Sequence, residues 1–182
     1  MTFFTSDTHF GHARIIEYCN RPFGDVAEMD QALIERWNYT VSPEDVVYHL
    51  GDFAMGPYER WSEYRSALNG RIILVAGNHD RSPAKMRAIG IDEVLTNVVV
   101  EVDGCKIWLN HYPPNEVSAS RHVRPAPPAT YNLALCGHVH NAWLVGSDGV
   151  VNVGVDVWNY QPLKLDHLIS VAAPYFPAPT PQ

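Results

Sequence analysis

Five short blocks of Asp, Asn and His side chains stand out in this sequence, because each directly follows an apolar run that predicts a β-strand. In open α/β sheets the carboxyl ends of the strands converge on one crevice, which is where ligands bind. The blocks therefore predict one site assembled from five separated parts of the chain. They are Asp7-Thr8-His9, Gly51-Asp52, Gly77-Asn78-His79-Asp80, His111 and Gly137-His138-Val139-His140.

The side chains in these blocks are of the kinds that bind metal ions through oxygen and imidazole. Asp52 follows a glycine that allows a tight turn, and its carboxylate has two oxygens that could bridge two cations. More candidates are present than one tetrahedral ion can use, whereas two ions sharing a bridge would stabilise both oxygens of a phosphoryl displacement. The seven candidate ligands are Asp7, His9, Asp52, Asn78, His111, His138 and His140.

The segments between the blocks predict the elements that position them. Helices are expected over 12–20, 25–38, 58–68 and 83–89. Asp25 is a candidate N-cap of the second helix, and Pro83 stands at the first position of the fourth. From residue 93 onward the pattern changes to strands, expected over 94–102, 106–109, 132–136, 143–145, 150–153 and 168–171. Asp103-Gly104 and Asp148-Gly149 predict hairpin turns.

Composition limits the class of protein. The 182 residues, 46% of them hydrophobic, predict one domain over 1–172 with a real core, followed by a Pro-rich tail over 173–182. No apolar run approaches the roughly 20 residues that span a bilayer, and no signal-peptide pattern is visible. A cytoplasmic protein without a membrane partner is therefore expected.

Charge and cysteine content exclude further classes. The net charge of −7 argues against a broad nucleic-acid-binding face, so no stable nucleic-acid partner is expected. A small nucleotide substrate stays compatible with this charge, because bound cations invert the local field. The three cysteines are odd in number and show no C-x-x-C spacing, so neither a disulfide framework nor a thiolate zinc site is expected.

The order of the blocks, spread over residues 5–140, resembles that of the calcineurin-like metallophosphoesterase superfamily. The segments 6–12, Arg21-Pro22-Phe23 and 154–158 are similar to its small bacterial and phage branch. The resemblance implies an α/β (α+β) fold, a four-layer α-β-β-α sandwich of two mixed sheets flanked by helices.

The resemblance also implies two divalent metal ions and a role for each block. One ion would be held by Asp7, His9, Asp52 and His140, and the other by Asp52, Asn78, His111 and His138. A hydroxide bridging the ions would be the nucleophile, and His79 would stabilise the transition state or protonate the leaving oxygen. Asp52 and His79 are thus the predicted catalytic residues. Mn²⁺ is our first choice of metal, with Fe²⁺/Fe³⁺ or Zn²⁺ as alternatives.

The second block departs from the extended G-D-x-x-D-R-G form of the superfamily's protein phosphatases, because Gly51-Asp52 is followed by neither the second Asp nor the Arg. In those enzymes that Asp orients the catalytic histidine. Asp80 could orient His79, although adjacent side chains rarely hydrogen-bond well. The departure favours substrates with better leaving groups, such as strained cyclic phosphodiesters.

Residues near the blocks are candidates for binding the substrate. They are His12, Asn78, His79, Arg14 and Arg21, with Arg81, Arg121 and Arg124 as further phosphate clamps. The Pro-rich loop over 112–131 is expected to shape the pocket.

The sequence therefore predicts a metal-dependent phosphoester hydrolase, with a phosphodiesterase acting on small 2′,3′-cyclic nucleotides as the first choice. The alternatives are a phosphomonoesterase for a nucleotide or sugar phosphate, a nuclease for longer nucleic acid, and a non-enzymatic interaction module on the same fold. Such modules are expected to have lost ligands, whereas every ligand position and His79 are present here.

Overall fold

Two mixed β-sheets and their flanking helices make up the chain in a computed structural model that describes residues 1–114, 128–146 and 149–175. The strands are β1 (Thr2–Thr5), β2 (Val46–His49), β3 (Arg71–Val75), β4 (Glu93–Leu95), β5 (Asn97–Val102), β6 (Cys105–Asn110), β7 (Leu133–Cys136), β8 (Val151–Asn152) and β9 (Leu163–Lys164). The helices are α1 (Ala13–Tyr18), α2 (Val26–Thr40), α3 (Trp61–Ala67), α4 (Pro83–Ala88) and α5 (Leu165–Ala172). Short 3₁₀ turns cover Tyr58–Arg60, Val155–Val157 and Ala173–Tyr175.

The first sheet has the strand order β4-β3-β2-β1-β9. Its first four strands are parallel, and β9 joins the edge antiparallel to β1. Parallel register sets Thr5 of β1 opposite His49 of β2, and His49 opposite Leu74 of β3. The loops that follow these three strands therefore leave the sheet side by side.

The second sheet has the strand order β5-β6-β7-β8. An antiparallel hairpin joins β5 to β6 through Asp103 and Gly104, which both have positive φ. The strands β6, β7 and β8 are parallel, so the ends of β6 and β7 also meet at one edge. This arrangement is the predicted fold of two mixed sheets flanked by helices.

The described residues form three apolar clusters, of which a small one lies around Trp108 of the second sheet and the two larger ones involve the first sheet. The largest one joins the first sheet to the helices, where Met29, Leu33 and Trp37 of α2 form a buried stripe. The second joins side chains of the first sheet, such as Phe4 and Val75, to side chains of the second sheet. Because both faces of the first sheet are covered, its central strands carry apolar side chains on both sides.

Local signals in the helices are confirmed. The Asp25 side chain caps α2 by accepting a hydrogen bond from the Glu28 N–H at 2.9 Å. The Glu28 carboxylate accepts from the Gly24 N–H at 2.7 Å, which completes a variant of the capping box. Pro83 begins α4, where its missing N–H has no cost.

Three strand predictions are wrong. The single strand predicted over 94–102 is two strands, β4 and β5, which belong to different sheets. The segment 143–145 forms no strand and makes one isolated bridge through Val145. The strand predicted over 168–171 lies within helix α5, where Leu165, Leu168 and Ala172 are buried at helical spacing.

Some predictions fall on parts of the chain that the structure does not describe. Residues 115–127 of the predicted pocket loop, with Arg121 and Arg124, lie outside the described residues, as do Asp148 of the second hairpin and residues 176–182 of the tail. Over the described ranges, no helix combines the length and the apolar character needed to cross a membrane.

Candidate metal centre

The five blocks meet where β1, β2, β3, β6 and β7 end. The loops after β1 and β2 run alongside each other, with the Asp7 N–H donating to the Gly51 carbonyl and the His9 N–H to the Asp52 carbonyl, both at 3.0 Å. The block after β7 joins them because the His138 N–H donates to the Asp7 carboxylate, 3.0 Å from Oδ2. The backbone itself thus ties distant blocks into one site.

Most of the predicted ligands have a left-handed backbone, which non-glycine residues rarely adopt. Each such residue costs on the order of 1 kcal/mol, so the surrounding hydrogen bonds must hold these loops in shape. The φ angles are 57° at Asp7, 50° at His9, 59° at Asp52, 71° at His138 and 47° at His140.

Gly51 shows why glycine precedes a ligand here. Its φ is +93°, and an added Cβ would lie only 2.6 Å from Nδ1 of His111. A side chain at this position would therefore displace a predicted ligand as well as strain the turn.

The predicted ligands fall into two groups of potential metal donors, each with its donor atoms within 4.8 Å of one another, and a third such group among the described residues joins His140 to Cys19 and Asp156. The first donor group is Asp7, His9 and His140, and the second donor group is Asp52, His111 and His138. The carboxylate of Asp52 lies between the groups, with Oδ2 3.4 Å from His9 Nε2 and 3.6 Å from His111 Nε2. The structure thus brings together the residues that the sequence predicts as ligands.

The second donor group is supported by neutral backbone. Nδ1 of His111 lies 2.7 Å from the Leu50 carbonyl oxygen, which can only accept, so this nitrogen carries the proton. Nε2 of the same ring faces Asn78 Oδ1 at 3.1 Å and Asp52 Oδ2 at 3.6 Å. An amide oxygen and a carboxylate oxygen therefore converge on this nitrogen.

The first donor group is supported by a buried ion pair. Nδ1 of His140 donates to Oδ2 of Asp156 at 3.0 Å. The Arg21 guanidinium binds the same carboxylate through two hydrogen bonds, of 2.7 and 3.0 Å. Burial opposes protonation of His140, but the hydrogen bonds to Asp156 and Cys19 outweigh it and raise the pKa of His140 to about 10. An anionic partner of this kind orients a ligating histidine and increases its basicity.

The donor set fits cations. Nε2 of His9 is buried and has no hydrogen-bond partner among the described residues. Burial acts to raise the pKa of Asp52, yet His9 and His111 hold it below its usual range, so the carboxylate is charged at neutral pH. A buried imidazole nitrogen without a hydrogen-bond partner beside a buried carboxylate is costly unless a further charge or polar group joins them. Cations at the two donor groups would satisfy these atoms.

Asp80 has a different role from the one predicted. Its carboxylate accepts the backbone N–H groups of Asp52, Phe53 and Gly77 at 2.8 to 3.0 Å. It therefore joins the loops after β2 and β3. These backbone contacts, and not a contact with the His79 ring, are what the structure gives for the Asp80 carboxylate. The His79 N–H donates to Asp52 Oδ1 at 2.9 Å, and the His79 ring centroid lies 5.4 Å from that of His9.

The predicted substrate-binding residues separate into two sets. His12 and His79 line a cavity of about 440 Å³ beside the first donor group, and Asn78 contacts His111. Burial and the neighbouring His9 lower the pKa of His12 to about 4, so its ring is neutral at pH 7. Arg14 is exposed and lies over the Tyr18 ring, which also lines the cavity.

The predicted phosphate contact of Arg21 is not supported, because its guanidinium is buried behind the histidines. Besides Asp156, it donates to the carbonyl oxygens of Thr8 at 3.0 Å and Asp7 at 2.8 Å and to Sδ of Met29 at 3.4 Å. All of its donors are thus used within the protein. Arg81, another predicted clamp, lies over the Trp61 ring.

Two residues that support the site were not assigned by sequence reasoning. Asp156 lies in the segment 154–158, which carried only a resemblance. Asn152 is fully buried, and its amide donates to the carbonyl oxygens of His140 and Trp143 at 2.7 and 2.8 Å. A carboxylate and an amide in an otherwise apolar segment were the signal available in the sequence.

The chain is similar to several known proteins. The family model described as the calcineurin-like phosphoesterase superfamily domain matches residues 2–158. An uncharacterized protein of Methanocaldococcus jannaschii is 34% identical over 174 residues, covering 91% of this chain and 88% of that protein. The Gene 66 protein of Mycobacterium phage L5 is 28% identical over 182 residues, with coverages of 86% and 87%. The crystal structure of a protein of unknown function from Aquifex aeolicus has a TM-score of 0.76 at 27% identity, covering 94% of this chain and 98% of that one.

Proposed function

The chain belongs to the calcineurin-like phosphoesterase superfamily, and from this premise we propose that it is a metal-dependent phosphodiesterase acting on small nucleotides, with 2′,3′-cyclic nucleotides as the first choice. The observation that carries the proposal is the position of Asp52, whose carboxylate oxygen lies between His9 and His111 of two separate donor groups. A shared carboxylate between two donor groups suits a dinuclear centre.

The ligand assignment follows from these groups. One ion would be held by Asp7, His9 and His140, the other by Asn78, His111 and His138, and Asp52 would serve both. When bound, divalent ions supply Lewis acidity to a phosphoryl oxygen and acidify a water molecule. We retain Mn²⁺ as the first choice, since carboxylate, amide and imidazole ligands suit it.

His79 is the candidate general acid. It lines the cavity beside the first donor group, and its ring centroid lies 5.4 Å from that of His9. The bond from its backbone N–H to Asp52 fixes its position relative to the shared carboxylate. This position supports the proposed role of His79, which is to donate a proton to the leaving oxygen or to stabilise charge on the phosphoryl group.

A diester is favoured over a monoester by charge. A phosphate monoester carries a second negative charge, which usually calls for an arginine clamp. Within the described ranges, no Arg or Lys side chain lines the cavity, and the Arg21 guanidinium is bound to protein groups. The carboxylate of Asp80 is used by backbone N–H groups, so His79 lacks an anionic partner there. Both features suit a singly charged substrate with a good or strained leaving group.

The test compares two chromogenic esters. The protein is stripped of metal, reconstituted with Mn²⁺, and assayed with bis-p-nitrophenyl phosphate and p-nitrophenyl phosphate. Preference for the diester, lost in Asp52→Ala, supports the proposal and leads to assays with 2′,3′-cyclic nucleotides. Exposed Asp166→Ala is the matched control, because it removes a carboxylate far from the ligands in sequence and is expected to retain full activity.

Two results would change the proposal. Preference for the monoester would make the protein a phosphomonoesterase. Metal binding without hydrolysis of either chromogenic ester or of a cyclic nucleotide would favour an interaction module on the same fold.

A further inference from the structure

The cavity of about 440 Å³ beside the first donor group extends beyond the predicted ligands. Besides His9, His79 and His140, apolar side chains that include Ile15 and Met55 line it. No carboxylate and no cationic Lys or Arg side chain lines it in the part of the chain that the structure describes. Its volume is in the range of small-molecule sites. Apart from the histidines, the lining of the cavity therefore suits an uncharged group attached to a phosphoester that is bound at the donor groups.

Tyr18 supplies an aromatic surface to this cavity. It lies at the end of α1, lines the cavity, and is 58% exposed although it is a large ring. The Arg14 guanidinium carbon lies 5.0 Å from its ring centroid, and the His12 ring meets it edge-on at 6.2 Å. These contacts orient a ring that stays largely accessible. An oriented, accessible aromatic ring is a stacking surface for another planar group.

Asn141 adds a polar group to the same cavity. Its amide nitrogen donates to the Cys19 carbonyl oxygen at 3.0 Å, which fixes the orientation of the amide. Its Oδ1 is then the acceptor that a ligand can use. Planar groups that carry an exocyclic amino donor include adenine, cytosine and guanine.

We propose that this cavity binds the base of a nucleotide substrate, with Tyr18 as the stacking surface and Asn141 Oδ1 as the acceptor for an amino group. The inference rests on the proposed function, because it requires the phosphoester to lie at the donor groups. It adds that the base is recognised, which the metal ligands alone do not provide.

The experiment separates the base from the phosphoester. Adenosine 2′,3′-cyclic phosphate is compared with methyl riboside 2′,3′-cyclic phosphate, which lacks the base, using Mn²⁺-loaded wild type, Tyr18→Ala and Tyr18→Trp. Tyr39→Ala is the matched control, because Tyr39 is 92% exposed on α2 and does not line the cavity. Binding of adenosine 3′-monophosphate is measured in parallel by calorimetry.

We expect Tyr18→Ala to raise KM for the adenosine ester about tenfold, since base–aromatic stacking contributes this much or more. The kcat should stay within about twofold, because stacking stabilises the bound substrate and its transition state equally. The base-free ester should be unaffected, because it has no base to stack on Tyr18. Tyr18→Trp should restore the KM, and Tyr39→Ala should not change it.

The remaining outcomes are distinguishable. Equal kcat/KM for both esters, unchanged in Tyr18→Ala, overturns the base site and leaves the proposed function standing. Tyr18-dependent binding of adenosine 3′-monophosphate without hydrolysis of either ester supports the base site and contradicts the proposed function. Neither hydrolysis nor binding contradicts both.

Discussion

The two donor groups receive different kinds of support. The first group depends on a charged chain, in which His140 binds Asp156 and Asp156 binds Arg21. The second group depends on a neutral one, in which His111 binds the Leu50 carbonyl oxygen. The ring of His111 is fully buried, whereas His140 is partly exposed beside the cavity.

This difference shows how one site can combine rigidity with reactivity. A backbone carbonyl fixes the tautomer and orientation of His111 without adding charge to a buried region. A carboxylate does the same for His140 and also increases its basicity, at the side of the site where the cavity opens. The support of His140 can therefore be removed by substituting one side chain, Asp156. The support of His111 is a backbone carbonyl, which no substitution removes.

The largest effect is expected where the two sides meet. Asp52→Asn keeps the shape of the side chain but removes the charge that both donor groups share. Metal content should fall for both ions, and kcat should fall about a thousandfold or more, because several kcal/mol of charge stabilisation are lost. Elemental analysis with steady-state kinetics measures both. Retention of both ions at full occupancy would contradict the shared role of Asp52.

A smaller and one-sided effect is expected from Asp156→Asn. The amide cannot supply the negative charge that holds His140 and Arg21, so affinity for one of two ions should fall about 10- to 100-fold. A titration of metal-free protein with Mn²⁺ should show one weakened step and one unchanged step. Exposed Asp166→Asn is the control and should leave both steps unchanged.

Asp156→Asn also breaks a buried ion pair, so part of its effect is on stability. Removing one partner of such a pair costs about 3–5 kcal/mol. Circular dichroism of the metal-free variant shows whether it is folded at the temperature of the titration. If a folded variant shows an equal loss of Mn²⁺ affinity in both steps, the prediction that Asp156 supports one ion only is contradicted.

The smallest effect is expected from a second histidine held by a neutral group. His49 is fully buried, and its Nε2 lies 2.9 Å from the Thr8 hydroxyl, which itself donates to the Phe53 carbonyl oxygen at 2.7 Å. Burial lowers the pKa of His49 to about 3. Below pH 6.5 the unfolded chain binds a proton here that the native state refuses, so stability is lost as pH falls from 6.5 towards 3.

At pH 5 this difference amounts to about 2 kcal/mol. Urea unfolding of metal-free protein at pH 7.5 and pH 5 should show that His49→Phe loses about this much less than wild type. His167→Gln, at an exposed position on α5, should follow wild type. A variant with the wild-type pH dependence would show that His49 is not the titrating group.

The positions of the candidate ligands could be predicted because each polar block ends a strand, and strand ends meet at one edge. The ligand roles themselves stay predictions. The supports could not be predicted in the same way, because Asp156 lies in a 3₁₀ turn and reaches Arg21 across 135 positions of sequence. The backbone contacts of Asp80 could not be predicted for a related reason, since its partners are N–H groups that carry no sequence signal.

The errors in the fold have local causes. The segment over 168–171 is a short apolar run, and a run of that length fits a strand or a buried helix equally well. The division between β4 and β5 falls after Leu95, where no Gly or Pro marks a break. In both cases the choice between alternatives is made by packing against residues far away in sequence.

The bond between Arg21 and Asp156 has a consequence for when the candidate metal centre can form during synthesis of the chain. During synthesis the loop after β1 leaves the ribosome well before residue 156, so the Arg21 guanidinium that binds the carbonyl oxygens of Asp7 and Thr8 has no carboxylate partner until Asp156 follows. Contacts this distant in sequence form late in folding. A nascent chain therefore holds Asp7 and His9 without this brace until residue 156 has emerged, and the support of the first donor group is completed only then.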